Sequence, residues 1–436
     1  MTAIEGTVAE VDAGRGASDG ILVVGGGIAG ITAALEATEA GARVYLVEKN
    51  PHLGGRVAQL SRYFPKLCPP TCGLEINFQR MRDNPRLRFF TMAEVEAIVG
   101  GPGHYRATIR RRARYVNDRC TACGACTEVC PVERPNPFDY GMSSTKTIYL
   151  SHEMAFPMKY AIDDQTCLFE ACARCVDACA YQAIDLRMGS ETIELEVGAV
   201  VLATGWQPYD AHAITNLAFG HYQDVITSVM LERMLADNGP TQGRIVRPSD
   251  GSAVRSIAFI QCAGSRDRLH LRYCSSVCCL GSLKEASLVL DKNPQTQIHI
   301  FYIDLRTPGT YQDFASKVLA RANVRAVKGK VADILHDADA GQLVVVADDM
   351  VGGVMSRTGV DLVVLATGMV PNLSRNRIVA DLGHDPDGFV VESSDVSGIF
   401  AAGCARAPVD VATATLDGTA AAMRAVATVR REGSRA

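Results

Sequence analysis

Fifteen cysteines are spread unevenly through 436 residues, and their spacing is the first chemistry visible in the chain. Cys120, Cys123, Cys126 and Cys130 read C-x2-C-x2-C-x3-C, with Pro131 next. A second run, Cys167, Cys172, Cys175 and Cys179, has a longer first gap and Ala180 in place of the proline. An iron–sulfur cube is soft and needs thiolates at four corners, which a short turning chain of this spacing supplies; zinc is the alternative occupant. In such paired runs the fourth cysteine serves the other cluster. If both cubes form, Cys120, Cys123, Cys126 and Cys179 hold one, and Cys130, Cys167, Cys172 and Cys175 the other. A third group, Cys262, Cys274, Cys278 and Cys279, is dense for packing alone and is read as the ligand set of a further cluster, against the reading of unrelated buried thiols. Cys68 and Cys72, spaced C-x3-C, fit two readings: a redox pair, or buried thiols beside a proline turn.

A second chemistry lies near the start. Ile21 to Val24 run unbroken into Gly25, Gly27 and Gly30, a G-x-G-x-x-G followed by an apolar helix expected over Ile31 to Ala40. The first glycine permits a tight turn, the second lets a pyrophosphate approach the backbone, and the third lets helix pack on strand. Ile28 and Ala29 stand at the helix start, whose free N–H groups favour phosphate. Glu48 closes the next strand, Val44 to Val47, where an acid meets a ribose. Strand, glycines, helix, strand and acid in register mark a dinucleotide site.

The elements that must position these groups follow in order. Lys49 leads to a second glycine pair, Gly54 and Gly55, and to Arg56. Leu87 to Phe90, Glu94 to Val99 and Tyr105 to Arg110 are expected as a meander, and the basic run Arg110 to Arg114 as a solvated strand face. The cysteine-rich stretch interrupts that meander, which resumes at Thr192 to Glu196. Residues 210–250 are expected to be a polar connection with one helix near Ser228 to Ala236. A second βαβ frame starts at Ser256 to Gln261, but Cys262-Ala263-Gly264 stands where a phosphate loop would be. Asp304 holds the ribose-acid position there, so a nicotinamide nucleotide stays open as a second reading.

The glycine pair after Glu48 resembles FAD-binding flavoproteins of the two-dinucleotide-domain class, such as thioredoxin reductase. Ala203-Thr204-Gly205, Ala366-Thr367-Gly368 and Ala401-Ala402-Gly403 carry the likeness through most of the chain. It implies an α/β fold of two Rossmann-like dinucleotide-binding domains, interrupted by an α+β ferredoxin-like domain, and favours FAD over NAD. The implied FAD contacts are Gly25, Gly27, Ile28, Ala29, Gly30, Glu48, Lys49, Gly54, Gly55, Arg56, Ala203, Thr204, Gly205, Gly403 and Val411. Relatives usually carry Asp after the late glycine; here it is Cys404. The helix after Pro408 would present its N-terminus to the flavin pyrimidine ring. The expected division is a flexible leader over 1–19, the FAD domain over 20–116, a ferredoxin-like 4Fe–4S insert over 117–190, and the second FAD segment with its connection over 191–250. A second Rossmann-like domain with the cysteine loop then covers 251–370, and the return segment covers 371–436.

Composition narrows the function. A net charge of −4 argues against nucleic acid, since phosphate binding needs a basic excess. No apolar run approaches the ~20 residues that cross a bilayer. The N-terminus lacks the basic and apolar regions of a secretory signal, so the cysteines are read as metal ligands of a cytoplasmic protein. There is no G-x-S-x-G, H-E-x-x-H or P-loop, which leaves hydrolase and ATPase readings without support.

The FAD fingerprint, the ferredoxin-like insert and C-x11-C-x3-C-C at Cys262 together resemble the A-type flavoprotein of heterodisulfide reductase. The stretches FPKLCPPTCGLEINFQRM, NPFDYGM, MAFPMKYAID, QCAGSRD and FYIDLRTPG are similar to the branch of that family found in quinone-interacting membrane-bound oxidoreductase (Qmo) complexes. Heterodisulfide-type relatives usually carry more ferredoxin sequence after the flavin domain, and none is expected here. The resemblance implies an oxidoreductase carrying FAD, up to two 4Fe–4S clusters in the insert and one at the second Rossmann-like domain. It implies electron transfer between the membrane quinone pool and adenylylsulfate (APS) reductase in dissimilatory sulfur metabolism. A quinone-reactive membrane subunit would be a partner, and membrane association would run through it.

Overall fold

The unbroken apolar runs become the inner strands of two five-stranded parallel sheets. In the computed structural model, residues 19–64, 66–374, 378–379, 382–392 and 397–434 are described; the expected leader falls, up to residue 18, outside them. The first sheet runs Ile399–Ala401, Ala199–Leu202, Gly20–Val24, Arg43–Val47 and Leu87–Phe90, all parallel. Its strands lack polar alternation because both faces are covered. Ile21, Val23, Val44, Leu46, Ala199 and Val201 pack under helices, while Leu22, Val24, Tyr45, Val47, Val200 and Leu202 face an antiparallel meander. The helix at the fingerprint spans Ile28–Glu39, three residues earlier than its sequence suggests. Leu87–Phe90 is not part of the meander; it is the edge of the parallel sheet, paired with Arg43–Val47.

That meander is Ala93–Gly101, His104–Arg111 and Glu191–Val197. Arg111 pairs with Glu191 at its tip, so residues 112–190 leave and return through one hairpin end. The basic run there is not uniformly solvated. Arg110 and Arg111 meet Glu96 and Glu191, but Arg114 is 4% exposed. Its guanidinium donates to the carbonyls of Pro51, Lys159 and Tyr160 and to the Thr91 hydroxyl. It ties the insert to the first sheet. Within the insert, two short helices, Ala125–Glu128 and Arg174–Ala178, lie against each other, with the strand pairs Glu133–Pro135 with Ser144–Lys146 and Ile148–Tyr149 with Ala161–Ile162.

The second sheet runs Val225–Thr227, Leu362–Thr367, Ser256–Ala263, Gln297–Tyr302 and Val324–Lys328. Val225–Thr227 and the helix Ser228–Leu235, which the sequence left in a connection, belong to this layer. A three-stranded meander from Val331 to Val360 covers its far face. The chain returns to the first sheet through Ile399–Ala401 and ends in the helix Val411–Gly433, which crosses Ile28–Glu39. Small residues set that crossing: a Cβ at Gly418 would lie 2.5 Å from the Ala29 carbonyl oxygen.

Candidate cofactor and cluster sites

At the carboxyl end of the first sheet the glycines act as the spacing demands. Gly25 has φ +110°, and a Cβ there would lie 2.3 Å from the Ala203 carbonyl oxygen. At Gly30 a Cβ would fall 1.8 Å from the Gly25 oxygen. Gly27 differs: its Cβ would meet nothing nearer than Gly55 Cα at 4.0 Å. The space in front of it is open, and the helix behind it starts without a side-chain cap. Glu48, 5% exposed, accepts from the Gly26 N–H at 2.7 Å and from the Asn50 N–H and Nδ2 at 2.8 and 2.7 Å. Burial raises its pKa, opposed by those hydrogen bonds. A carboxylate has about four lone-pair sites, so one remains for a ribose hydroxyl.

These residues open on a cavity of about 640 Å³. Every cofactor position expected from the sequence lines it except Gly30, Gly54 and Gly403. Those three are glycine for packing: Gly54 and Gly403 have φ +103° and +60°, and a Cβ would come within 3.2 Å of Ala58 and 3.1 Å of Ala29. Arg56 donates through Nε to the Trp206 carbonyl at 2.7 Å and through Nη1 to the Tyr140 hydroxyl at 2.9 Å, with its Cζ 4.8 Å from the indole centroid. Trp206, read from sequence as a packing residue, therefore frames the cavity. Cys404 lines it too, its thiol directed at the Val409 carbonyl and pushed up by burial to about 11. At the last helix the Asp410 carboxylate caps the Thr413 N–H at 2.8 Å, so the expected positive end already carries an acid. Thr204 Oγ1 is buried in the wall without a partner. An open glycine, an uncapped helix start and an orphaned hydroxyl together fit a dinucleotide such as FAD.

Sequence reasoning did not foresee that the insert forms part of this wall. Asn136, Phe138, Tyr140, Tyr149 and Ser151 all reach it. No local signal marks them; only the fold-back of the insert brings them there.

Six of the eight cysteines of the insert, all but Cys123 and Cys172, gather around one small apolar core of Val116, Ile148, Tyr160, Ile162 and Ile184. Cys130, Cys167, Cys172 and Cys175 line one small cavity of about 20 Å³, the set that cross-pairing groups together. Cys126 is pushed up by burial to about 12 and Cys175 to about 11, each with neighbouring thiols adding to the shift. Backbone N–H groups of Phe169 and Ala183 point at the Cys167 and Cys179 sulfurs, both at 3.3 Å. Such donors favour sulfur that carries negative charge. Among the described residues, no three His, Cys, Asp or Glu side chains stand at single-ion distance.

The third group lies at the carboxyl end of Ser256–Ala263. Cys262 sits in a left-handed turn (φ +57°), and Cys278 and Cys279 open the helix Cys278–Lys292. Burial first, then the other thiols of the group, raises the pKa of Cys262 and Cys278. The Ser276 N–H points at Cys274 Sγ from 3.4 Å. Asp304, the candidate ribose acid, is ion-paired with Arg266 at 2.8 Å, and the Cys279 thiol faces its carbonyl at 3.6 Å. Of the remaining pair, Cys72 is exposed and the Cys68 thiol faces the Lys66 carbonyl, so neither is a fully buried thiol.

The fold and site define a two-dinucleotide-domain flavoprotein carrying a ferredoxin-type insert. Its fold is that of thioredoxin reductase: the Lactococcus lactis enzyme aligns over 94% of this chain and 99% of its own, with a TM-score of 0.51 at 13% identity. The family model "FAD dependent oxidoreductase" matches residues 20–69, and "4Fe-4S binding domain" matches residues 113–133. The second A-type iron–sulfur subunit of the CoB–CoM heterodisulfide reductase of Methanopyrus kandleri is 40% identical over 422 residues, covering 94% of this chain and 64% of the relative. The A-type subunit of the H2:CoB-CoM heterodisulfide,ferredoxin reductase of Methanothermobacter thermautotrophicus is 35% identical over 420 residues, covering 93% and 63%. Over nearly its whole length the chain is similar to A-type subunits of heterodisulfide reductases, and the family models it matches are those of an FAD-dependent oxidoreductase and a 4Fe–4S binding domain. It spans somewhat less than two thirds of the length of these curated relatives.

Proposed function

We propose that this protein is the flavin- and cluster-bearing electron carrier of a multi-subunit complex of the heterodisulfide reductase type. The observation that carries the proposal is the third cysteine group. Cys262, Cys274, Cys278 and Cys279 meet at the carboxyl end of a parallel strand, the place where open α/β sheets hold ligands. A nicotinamide fold would need phosphate-binding glycines and a free ribose acid there. This loop has cysteines, and Asp304 is engaged by Arg266. FAD, when bound, supplies the exchange between one-electron and two-electron steps. Gly27, Thr204 and Arg56 hold and orient it, and the thiols of the insert and of the Cys262 loop hold the clusters. Two cubes in the insert, with the cross-paired ligands above, agree with the shared cavity of Cys130, Cys167, Cys172 and Cys175.

The finer reading links this carrier, through a quinone-reactive membrane subunit, to adenylylsulfate reductase. Its support is the set of Qmo-like stretches between Phe64 and Gly309. A cytoplasmic site with attachment through partner subunits belongs to the same reading. Among the described residues no helix is long and apolar enough to cross a membrane. Co-purification from native membranes distinguishes the complexes: subunits of a quinone reductase favour the sulfur-metabolism branch, and heterodisulfide-reducing subunits favour the other.

The test of the cluster loop is the double change Cys274→Ser and Cys278→Ser in protein purified without oxygen. One paramagnetic signal should vanish and iron should fall by about four atoms per chain, the content of one cube, while flavin and the insert's signals persist. An unchanged iron count, or tight binding of NADH, would return the site to the nucleotide reading.

A further inference from the structure

A second cavity, of about 790 Å³, is larger than the flavin cavity of about 640 Å³, and no cofactor assigned above occupies it. It opens where three parts of the molecule meet. These are the helix Pro70–Arg82, the insert between His152 and Lys159, and the ends of the helices Ser228–Leu235 and Cys278–Lys292. Ligand pockets of about 300–1,000 Å³ favour such junctions and are mostly apolar. The inner wall joins two hydrophobic cores: Leu74, Phe78 and Phe156 belong to the first, Leu235 and Leu288 to the second. Phe156 is stacked on Phe78 at 4.8 Å between centroids. At the mouth stand Met154 and Met158, 40% and 50% exposed. Flexible thioethers adapt to an apolar guest and make favourable contacts with aromatic rings. FPKLCPPTCGLEINFQRM and MAFPMKYAID, two of the distinctive stretches of the sequence, both contribute to this lining.

The charges around the cavity cancel. Arg62, Arg82, Lys159 and Lys292 are matched in number by Glu75, Asp118, Glu153 and Asp237. Lys159 is ion-paired with Asp118 at 2.7 Å and Lys292 with Asp237 at 3.1 Å. The Arg82 Cζ lies 5.9 Å from the Phe156 ring centroid, and Arg62 donates to the Leu67 carbonyl at 3.1 Å. Burial, with Arg233 nearby, holds the His152 pKa down to about 4, so that ring is neutral too. An apolar wall whose cations are already engaged is costly for an ion to enter and suits an uncharged guest.

We propose that this cavity binds a neutral small molecule with a flat conjugated ring, received by Phe156 and the two methionines. The site is separate from the flavin cavity but shares its supports. His152 in its wall is stacked at 4.6 Å on Phe138, which lines the flavin cavity, and Cys120 of the insert also lines it. A bound ring therefore rests against the flavin wall on one side and the first thiol of the insert on another.

The experiment titrates the intact chain, purified with its cofactors and without oxygen, with the neutral ring dye Nile red, whose fluorescence reads binding. Wild type should show a single saturable site. The double change Met154→Asp and Met158→Asp puts charge at the mouth and should weaken that site about tenfold or more. Flavin content and melting temperature should hold, because both side chains are well exposed. Thr71→Trp adds bulk to the wall from the start of Pro70–Arg82 and should abolish binding; it decides if the Asp pair melts early. Unchanged binding in both variants, or no saturable binding in wild type, overturns the site. The anionic dye anilinonaphthalene sulfonate should leave Nile red bound, and displacement at equal concentration overturns the neutral class. A complex from native membranes that refuses the dye while the isolated chain takes it would mean that a partner segment fills the cavity, and the small-molecule reading falls.

Discussion

Gly27 and Gly30 are three residues apart in one fingerprint and are glycine for different reasons. Gly30 has no room within the protein, since its Cβ would fall 1.8 Å from the Gly25 oxygen. Gly27 has room within the protein and none once a pyrophosphate arrives. The two substitutions should therefore separate cleanly. Gly27→Val should give a folded, colourless protein whose melting temperature matches flavin-free wild type. Gly30→Ala should lose about 1–3 kcal/mol of stability through overpacking, flavin or no flavin. Absorbance at the flavin bands and a denaturation curve check both; full flavin in Gly27→Val would remove the cofactor assignment.

Among the elements, the last helix has the most to do with the site, because Val411 at its start lines the cavity while Gly418 sets its height on the first helix. Replacing an internal helical glycine normally gains up to about 1 kcal/mol in propensity. At Gly418 the steric term should win, since a Cβ 2.5 Å from the Ala29 oxygen must push the two helices apart. Gly418→Val is expected to destabilise by about 1–3 kcal/mol in chemical denaturation and to weaken FAD binding in parallel. A more stable variant would mean that the crossing is looser than this geometry.

The layers of the molecule meet across a charged seam. Lys284 ion-pairs with Glu232 and donates to the Arg62 carbonyl at 2.7 Å, while Glu232 also accepts from the Ser61 N–H and hydroxyl at 2.9 and 2.8 Å. Arg233 beside it holds Asp139 of the insert at 2.8 Å, both nearly inaccessible. Glu285 is buried in the same seam, and burial together with the Glu232 charge raises its pKa well above the usual range. An acid whose folded pKa exceeds its unfolded value, about 4.3 for Glu, binds its proton more tightly when folded. It therefore leaves stability untouched below that value and withdraws stability as pH rises above it. Glu285→Gln should match wild type in melting temperature near pH 4 and exceed it increasingly from pH 5 to 8. A difference independent of pH would show that Glu285 is not protonated in the native seam.

Features governed by local rules were legible along the chain. The unbroken strands, the three glycine duties and the cysteine spacings are short-range patterns, set by backbone sterics and by how tightly a chain must turn around its ligand. The frame they implied is the one observed, down to the hairpin through which the insert leaves and returns. Whatever depends on distant segments meeting was left to the tertiary structure. Leu87–Phe90 reads equally well as meander or sheet edge until a parallel neighbour pairs with it, and Val225–Thr227 is too short to announce the sheet it completes. Arg114 looks like one more charge in a basic run; four acceptors from three separate stretches of chain bury it. Phe138, Tyr140 and Tyr149 of the insert reach the cofactor wall, and His52 loses every partner, only because residues 112–190 fold back over the first sheet. Burial and orphaned hydrogen-bonding groups are properties of that packing, and no pattern along the chain encodes them.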